Sequence, residues 1–116
     1  MLVCSECFKP KGECNCNKPF IEIDDEIVDI IRILNEKGYI TEFCCAGHIE
    51  RRIFQCYIKF VVPYEFKTKP RYFKINMKHT IENVVYQKEW EKKTEKEKES
   101  HARKVRNSLL KWAVAL

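Results

Sequence analysis

No apolar run in the chain approaches the roughly 20 residues that cross a bilayer, so no membrane-spanning helix is expected. The opening Met1-Leu2-Val3-Cys4-Ser5-Glu6-Cys7 lacks a basic stretch followed by an apolar one, so a secretory signal is not expected either. Phosphate loop, dinucleotide fingerprint and catalytic triad are all missing, which removes the commonest nucleotide-dependent and hydrolytic enzyme classes. There is no internal repeat and no long linker. Nor is the cysteine count even: there are 7. A secreted disulfide scaffold pairs its cysteines, so reduced thiols, metal binding and a cytoplasmic setting are expected.

What remains fits one domain. A chain of 116 residues buries roughly two thirds of the surface its unfolded form exposes. An apolar fraction of 45% is ordinary, and a net charge of +5 with 34% charged residues is mildly basic. That balance permits contact with a polyanion and is equally met by a solvated, lysine-rich surface.

Residues 1–19 form a first unit, rich in the turn-formers Pro10, Gly12, Asn15, Asn17 and Pro19 and poor in apolar side chains. Alone it could not bury a core. Residues 20–116 form an α+β domain, the two making one compact unit. Asp24 or Asp25 reads as an N-cap. Ile27, Ile30, Ile31 and Leu34 then repeat at helical spacing, and Gly38 supplies a left-handed stop. Strands are expected over 39–45 and 53–62, a short one over 72–75 and a weaker one over 81–87. In the second strand Cys56, Ile58 and Phe60 share one face. The stretch 90–116 reads as one long helix with Val105, Leu109, Trp112 and Leu116 on its buried stripe. The expected architecture is a small antiparallel sheet packed against two helices, with an N-terminal zinc knuckle.

Four cysteines carry the clearest chemistry: Cys4 and Cys7 as Cys-Ser-Glu-Cys, Cys14 and Cys16 as Cys-Asn-Cys. Zinc takes four soft ligands in a tetrahedron with Zn–S near 2.3 Å. A Cys-x-x-Cys turn offers two sulfurs to one ion, a Cys-x-Cys bend offers two more, and Gly12 between them lets the chain reverse. A closed four-thiolate site has no position for substrate, so it reads as scaffold. An alternative ligand set draws on Cys44, Cys45 and His48, stapling the N-terminal tail onto the first strand.

The second feature is Cys44-Cys45-Ala46-Gly47-His48, where a strand ends in two thiols and turns through a glycine to an imidazole. Gly47 permits a backbone path or close approach that other residues resist. His48 can shuttle a proton or bind metal, and Cys45 is near enough in sequence for a thiolate–imidazolium contact. One of Cys44 and Cys45 is expected in the core, because neighbouring residues of a strand face opposite ways. Cys56 is expected in the core too, with His79 and His101 on the surface.

The stretch from Asp24 to Ile49, with Leu34-Asn35, Gly38-Tyr39-x-Thr41 and then Cys44-Cys45-Ala46-Gly47-His48, resembles small bacterial and phage proteins that pair this turn with N-terminal cysteines. More distantly it is similar to the wybutosine-synthesising family of tRNA methyltransferases. In that family a helix ending in Asn leads to a Thr-rich strand and Ser-Ser-Cys-Ser-Gly-Arg. Thr41 matches the strand threonine, and Cys45 and Gly47 match the Cys and Gly of the motif. Cys44 and Ala46 stand where the family has serines, and His48 where it has arginine. The resemblance implies a helix and strands with a turn-borne site, without the methyl transfer.

Two functions follow. One is a zinc-binding module for nucleic acid or a protein partner. Its patch would be 63–78, where Lys67, Lys69, Arg71, Lys74 and Lys78 occur with Tyr72 and Phe73. Tyr57, Tyr64, Tyr72 and Tyr86 are expected to offer exposed rings. The other is an enzyme acting on a nucleotide or RNA-like substrate through Cys45 and His48, with Gly47 shaping the binding turn. A third is redox or metal sensing by exposed thiols.

Overall fold

A computed structural model of the chain describes residues 1–77 and 79–116. The fold is α+β with two antiparallel sheets. A ribbon of β1 (Leu2–Cys4) and β2 (Phe20–Glu22) stands beside a four-stranded sheet of β3 (Thr41–Cys45), β4 (Phe54–Phe60), β5 (Lys74–Asn76) and β6 (Thr80–Val85), in the order β3-β4-β6-β5. The helices are α1 (Val28–Glu36), the short α2 (Gln87–Glu91) and α3 (Glu95–Ala115), with a 3-10 turn, Asp25–Ile27, ahead of α1. Among the described residues no helix is long and apolar enough to cross a membrane.

The core follows the sequence periodicities. Ile27, Ile30, Ile31 and Leu34 are all buried, as are Phe54, Cys56, Ile58 and Phe60 of β4 and Val105, Leu109 and Trp112 of α3. Gly38 has φ of +91°, and Tyr39 N–H donates to the Leu34 carbonyl at 2.9 Å, so α1 stops where a left-handed residue stops it. Asn35 then fixes the entry into β3. Its Oδ1 accepts from Thr41 N–H at 3.2 Å and its Nδ2 donates to Thr41 Oγ1 at 3.0 Å. Lys37 Nζ donates to the carbonyls of Ala113, Val114 and Leu116 at 2.6–3.0 Å. A cation thus caps the negative end of α3 and ties it to the end of α1.

Four expectations are corrected. The stretch 90–116 is not one helix: α2 ends at Glu91, and α3 starts afresh with a capping box. Thr94 Oγ1 accepts from Glu97 N–H at 3.1 Å, and the Glu97 carboxylate accepts from Thr94 N–H at 3.0 Å. The last strand, expected to be weak, is β6, paired on both sides. Tyr64 is not free: it packs against Tyr39, Phe60 and Phe66, and its hydroxyl accepts from Ile40 N–H at 3.0 Å. His101 is not a surface residue. Its ring stands nearly perpendicular to those of Phe54 and Trp90, at centroid distances of 5.0 and 5.6 Å. His79 is likewise half-buried.

His101 makes stability depend on pH. Asn83 Nδ2 donates to the Tyr72 carbonyl at 2.7 Å, so Asn83 Oδ1 faces His101 Nε2 at 2.8 Å and that nitrogen carries the proton. Burial, then the charges of Lys104 and Lys93, pull the pKa of the ring below 6.5. In the unfolded chain the ring titrates near its ordinary value, about 6.5. Below that pH the unfolded state binds the proton first, so stability falls on acidification until the folded ring titrates too, and it is level above. Urea midpoints measured between about pH 5 and 7.5 should show this slope, and His101→Gln should flatten it. An unchanged slope in the variant would remove His101 as its source.

Candidate functional site

The four N-terminal cysteines come together. Antiparallel pairing of β1 with β2, in the register Val3↔Ile21 and Cys4↔Phe20, closes the loop that carries them. After Cys4 the chain turns sharply. Phe8 N–H donates to the Cys4 carbonyl and Cys4 N–H to the Lys9 carbonyl, both at 2.9 Å, and Phe8 sits at φ +59°. The Glu6 amide donates to Cys4 Sγ at 3.3 Å. This is a thiolate turn, with amides aimed at sulfur. The sulfurs of Cys4, Cys7, Cys14 and Cys16 lie within 4.8 Å of one another. Four sulfurs about 2.3 Å from a tetrahedral ion stand about 3.8 Å apart, so a small contraction around an ion completes the site. The cluster can hold a metal ion.

The thiols already differ as such crowding requires. The amides of Cys7 and Glu6 bring the Cys4 thiol down to about 7. The Cys7 sulfur, then burial and neighbouring thiols, push Cys16 up to about 12. Sulfurs packed this closely cannot all ionise against one another, and a divalent cation removes the obstacle. All seven cysteines are free thiols.

The Cys44-Cys45-Ala46-Gly47-His48 turn is held from two sides. Ala46 N–H donates to Asp24 Oδ2 at 2.9 Å. Across the turn Arg106 of α3 donates through Nε to the Ala46 carbonyl at 3.0 Å and through Nη2 to the Gly47 carbonyl at 2.6 Å. Gly47 has φ of +87° and lies against the Phe54 ring. His48 Nε2 stands 3.3 Å from Asp24 Oδ2, and His48 Nδ1 stands 3.7 Å from Glu50 Oε1. Ligand atoms of Asp24, Cys45 and His48 all fall within 4.8 Å of one another, forming a group distinct from the N-terminal four. Cys45 and His48 therefore join Asp24 rather than the four N-terminal sulfurs.

Of the paired thiols, Cys44 packs against the core, and burial pushes it up to about 12. Burial also raises the Cys45 thiol; the Gly47 amide works against this and the Asp24 carboxylate adds to it. Cys56 is wholly buried, as expected.

Comparison with protein-family models, with curated proteins and with solved structures found no match.

The expected basic patch is divided. Lys69 and Arg71 line a cavity of about 550 Å³ together with Tyr72, Lys104 and Lys111. Lys67 lies on a neighbouring surface beside Phe66 and Leu116, and Lys74 is on the exposed strand β5. Lys78 lies outside the described residues. The Tyr72 ring, held out at φ +73°, has the Lys104 ammonium 4.7 Å and the Arg71 guanidinium 5.2 Å from its centre.

Sequence reasoning missed Asp24, Arg106, Lys104 and Lys111 as parts of these sites. Asp24 reads as a helix cap, yet it makes no capping hydrogen bond and reaches the turn instead. Lys104 and Lys111 stand seven apart in a Lys-rich helix. That spacing puts them on one face, which was the available signal.

Proposed function

We propose that the protein is a small zinc-binding module of the reducing cell interior that binds single-stranded nucleic acid on the face between Lys69–Tyr72 and α3. One observation carries this. Lys69, Arg71, Lys104 and Lys111 line a single cavity with no carboxylate in its walls, beside a Tyr72 ring that is 39% exposed. The Glu residues of the Lys/Glu run in α3 are absent from that lining, so the cations there are not neutralised locally. Backbone phosphates can draw the Arg71 and Lys104 side chains off the Tyr72 ring and leave it free to stack on a base.

The zinc assignment follows from ligand chemistry. Four thiolates favour zinc among the available divalent ions, and a site filled by protein is structural. The alternative, chemistry on a nucleotide or RNA-like substrate through Cys45 and His48, needs a ready thiolate. Burial and Asp24 act against one at Cys45, which supports the binding module over a thiol enzyme.

Fluorescence anisotropy of labelled single-stranded RNA and DNA tests the proposal. Four neutralised phosphates give a log–log salt slope of about −3, because each contributes about 0.7 on a single strand. Lys104→Ala/Lys111→Ala should weaken binding and flatten the slope by about 1.4. Tyr72→Ala should cost about 1–3 kcal/mol of binding. No binding at low salt, or an unchanged slope in the double variant, would remove this function.

A further inference from the structure

We infer that Asp24, Cys45 and His48 form a second divalent-metal site, with three protein ligands and one coordination position open to a phosphate group. The three side chains come from three separate places in the fold. Asp24 precedes the 3-10 turn, Cys45 ends β3, and His48 follows the Gly47 turn. Their ligand atoms nonetheless lie within 4.8 Å of one another. The separation of His48 Nε2 from Asp24 Oδ2 is 3.3 Å. Nitrogen and oxygen ligands bound at about 2.0–2.1 Å to a tetrahedral ion stand about 3.3 Å apart, so this edge of the polyhedron already has its bonded length.

The surroundings orient these ligands as a metal site requires. His48 turns Nε2 toward the group, while Nδ1 faces the Glu50 carboxylate at 3.7 Å, on the side where an outer partner of a ligating imidazole stands. The Asp24 carboxylate is anchored by Ala46 N–H, and Arg106 holds the carbonyls of Ala46 and Gly47. One thiolate, one imidazole and one carboxylate suit zinc or cobalt rather than calcium or magnesium.

Three protein ligands leave the fourth position to an outside group. Here Cys45 and His48 form one wall of a cavity of about 350 Å³, and Arg51 and Arg52 stand in its other walls with Gln55 and Tyr57. No carboxylate lines it. A phosphate taking that position would meet the guanidiniums of Arg51 and Arg52, whose fork matches its oxygens. The class of ligand is therefore a phosphate group, free or carried by a larger molecule. This site shares no side chain with the basic cavity of the proposed nucleic-acid face.

The test uses the full chain purified under reducing conditions and loaded with zinc or cobalt. The wild type should hold two ions per chain. Cys45→Ser, and separately His48→Gln, should hold one, with the far-UV circular dichroism of the wild type. In the cobalt form, sulfur-to-metal absorption should fall in Cys45→Ser by one thiolate in five. Inorganic phosphate should perturb the ligand-field bands of the wild-type cobalt protein and leave those of His48→Gln unmoved. Arg51→Ala/Arg52→Ala should keep two ions and weaken the phosphate effect about tenfold or more, as loss of a charge-assisted contact does. One ion in the wild type, or two in both ligand variants, overturns the site. Two ions in the wild type with no response to phosphate overturns the open position.

Discussion

Replacing Cys14 and Cys16 together by serine is expected to unfold residues 1–19 and leave the four-stranded sheet standing. The reason is what the segment has to hold itself with. Only Val3, Cys4 and Phe8 in it are buried, and β1 and β2 are three residues each. A buried apolar side chain contributes about 1.5–3 kcal/mol. Each residue fixed in place costs about 1–2 kcal/mol of backbone entropy, and the loop between the two strands runs from Ser5 to Pro19. Two apolar side chains cannot order it. A structural zinc ion, at about 10 kcal/mol or more, can. Amide hydrogen exchange reads the result. The amides of Cys4 and Phe8, which bond to the carbonyls of Lys9 and Cys4, should lose almost all protection in the double variant, while those of β4 and β6 keep theirs. The variant separates this site from the Asp24 group, whose proposed ion a chelator would strip as well. Protection unchanged in the double variant would mean that the knuckle stands without metal.

Local sequence carries one part of this fold and distant packing the rest. The α1 face, the β4 alternation and the α3 stripe were legible because burial repeats with the period of each element. The four-cysteine cluster was legible because its ligands are near in sequence and few residue types bind soft metals. The helix break at 92–94 was masked by the Lys/Glu run, although Thr94-Glu95-Lys96-Glu97 is a capping-box pattern. Asp24 and Arg106 were not legible as turn-holders. They meet the turn from 22 and 60 residues away, and nothing in either one's neighbourhood encodes that meeting. The basic cavity was half legible: Lys69 and Arg71 lie in a visibly basic stretch, whereas Lys104 and Lys111 reach it because α3 meets the 68–71 loop, Ser108 donating to the Arg71 carbonyl and Trp112 to Thr68. Side chains that converge on a site from distant elements are fixed by tertiary packing, which periodicity does not report.

Gly47→Ala is expected to be the most damaging single substitution in the turn. The residue sits at φ +87°, where an L side chain costs about 1–2 kcal/mol. The added Cβ would also lie 2.5 Å from Cε1 and Cζ of Phe54. That ring cannot step aside. Phe54 is wholly buried, with Trp90 at a centroid distance of 4.9 Å and His101 edge-on at 5.0 Å. Overpacking of this kind costs about 1–3 kcal/mol. The two effects together come to about 2–5 kcal/mol, a fall in Tm on the order of 10–20 °C. A double-mutant cycle separates them. Phe54→Leu removes the clash but not the strain in φ, so it should harm Gly47→Ala less than it harms the wild type, by about 1–3 kcal/mol. Strict additivity would mean that the ring is not the obstacle. If Gly47→Ala folds, the turn must shift to admit the new carbon. His48 and Asp24 would then separate, and metal binding at the N-terminal cysteines should persist while the proposed second ion is lost. The glycine thus joins the core to the chemistry: the contact that lets Phe54 fill the space under the turn is also the one that sets His48 against Asp24.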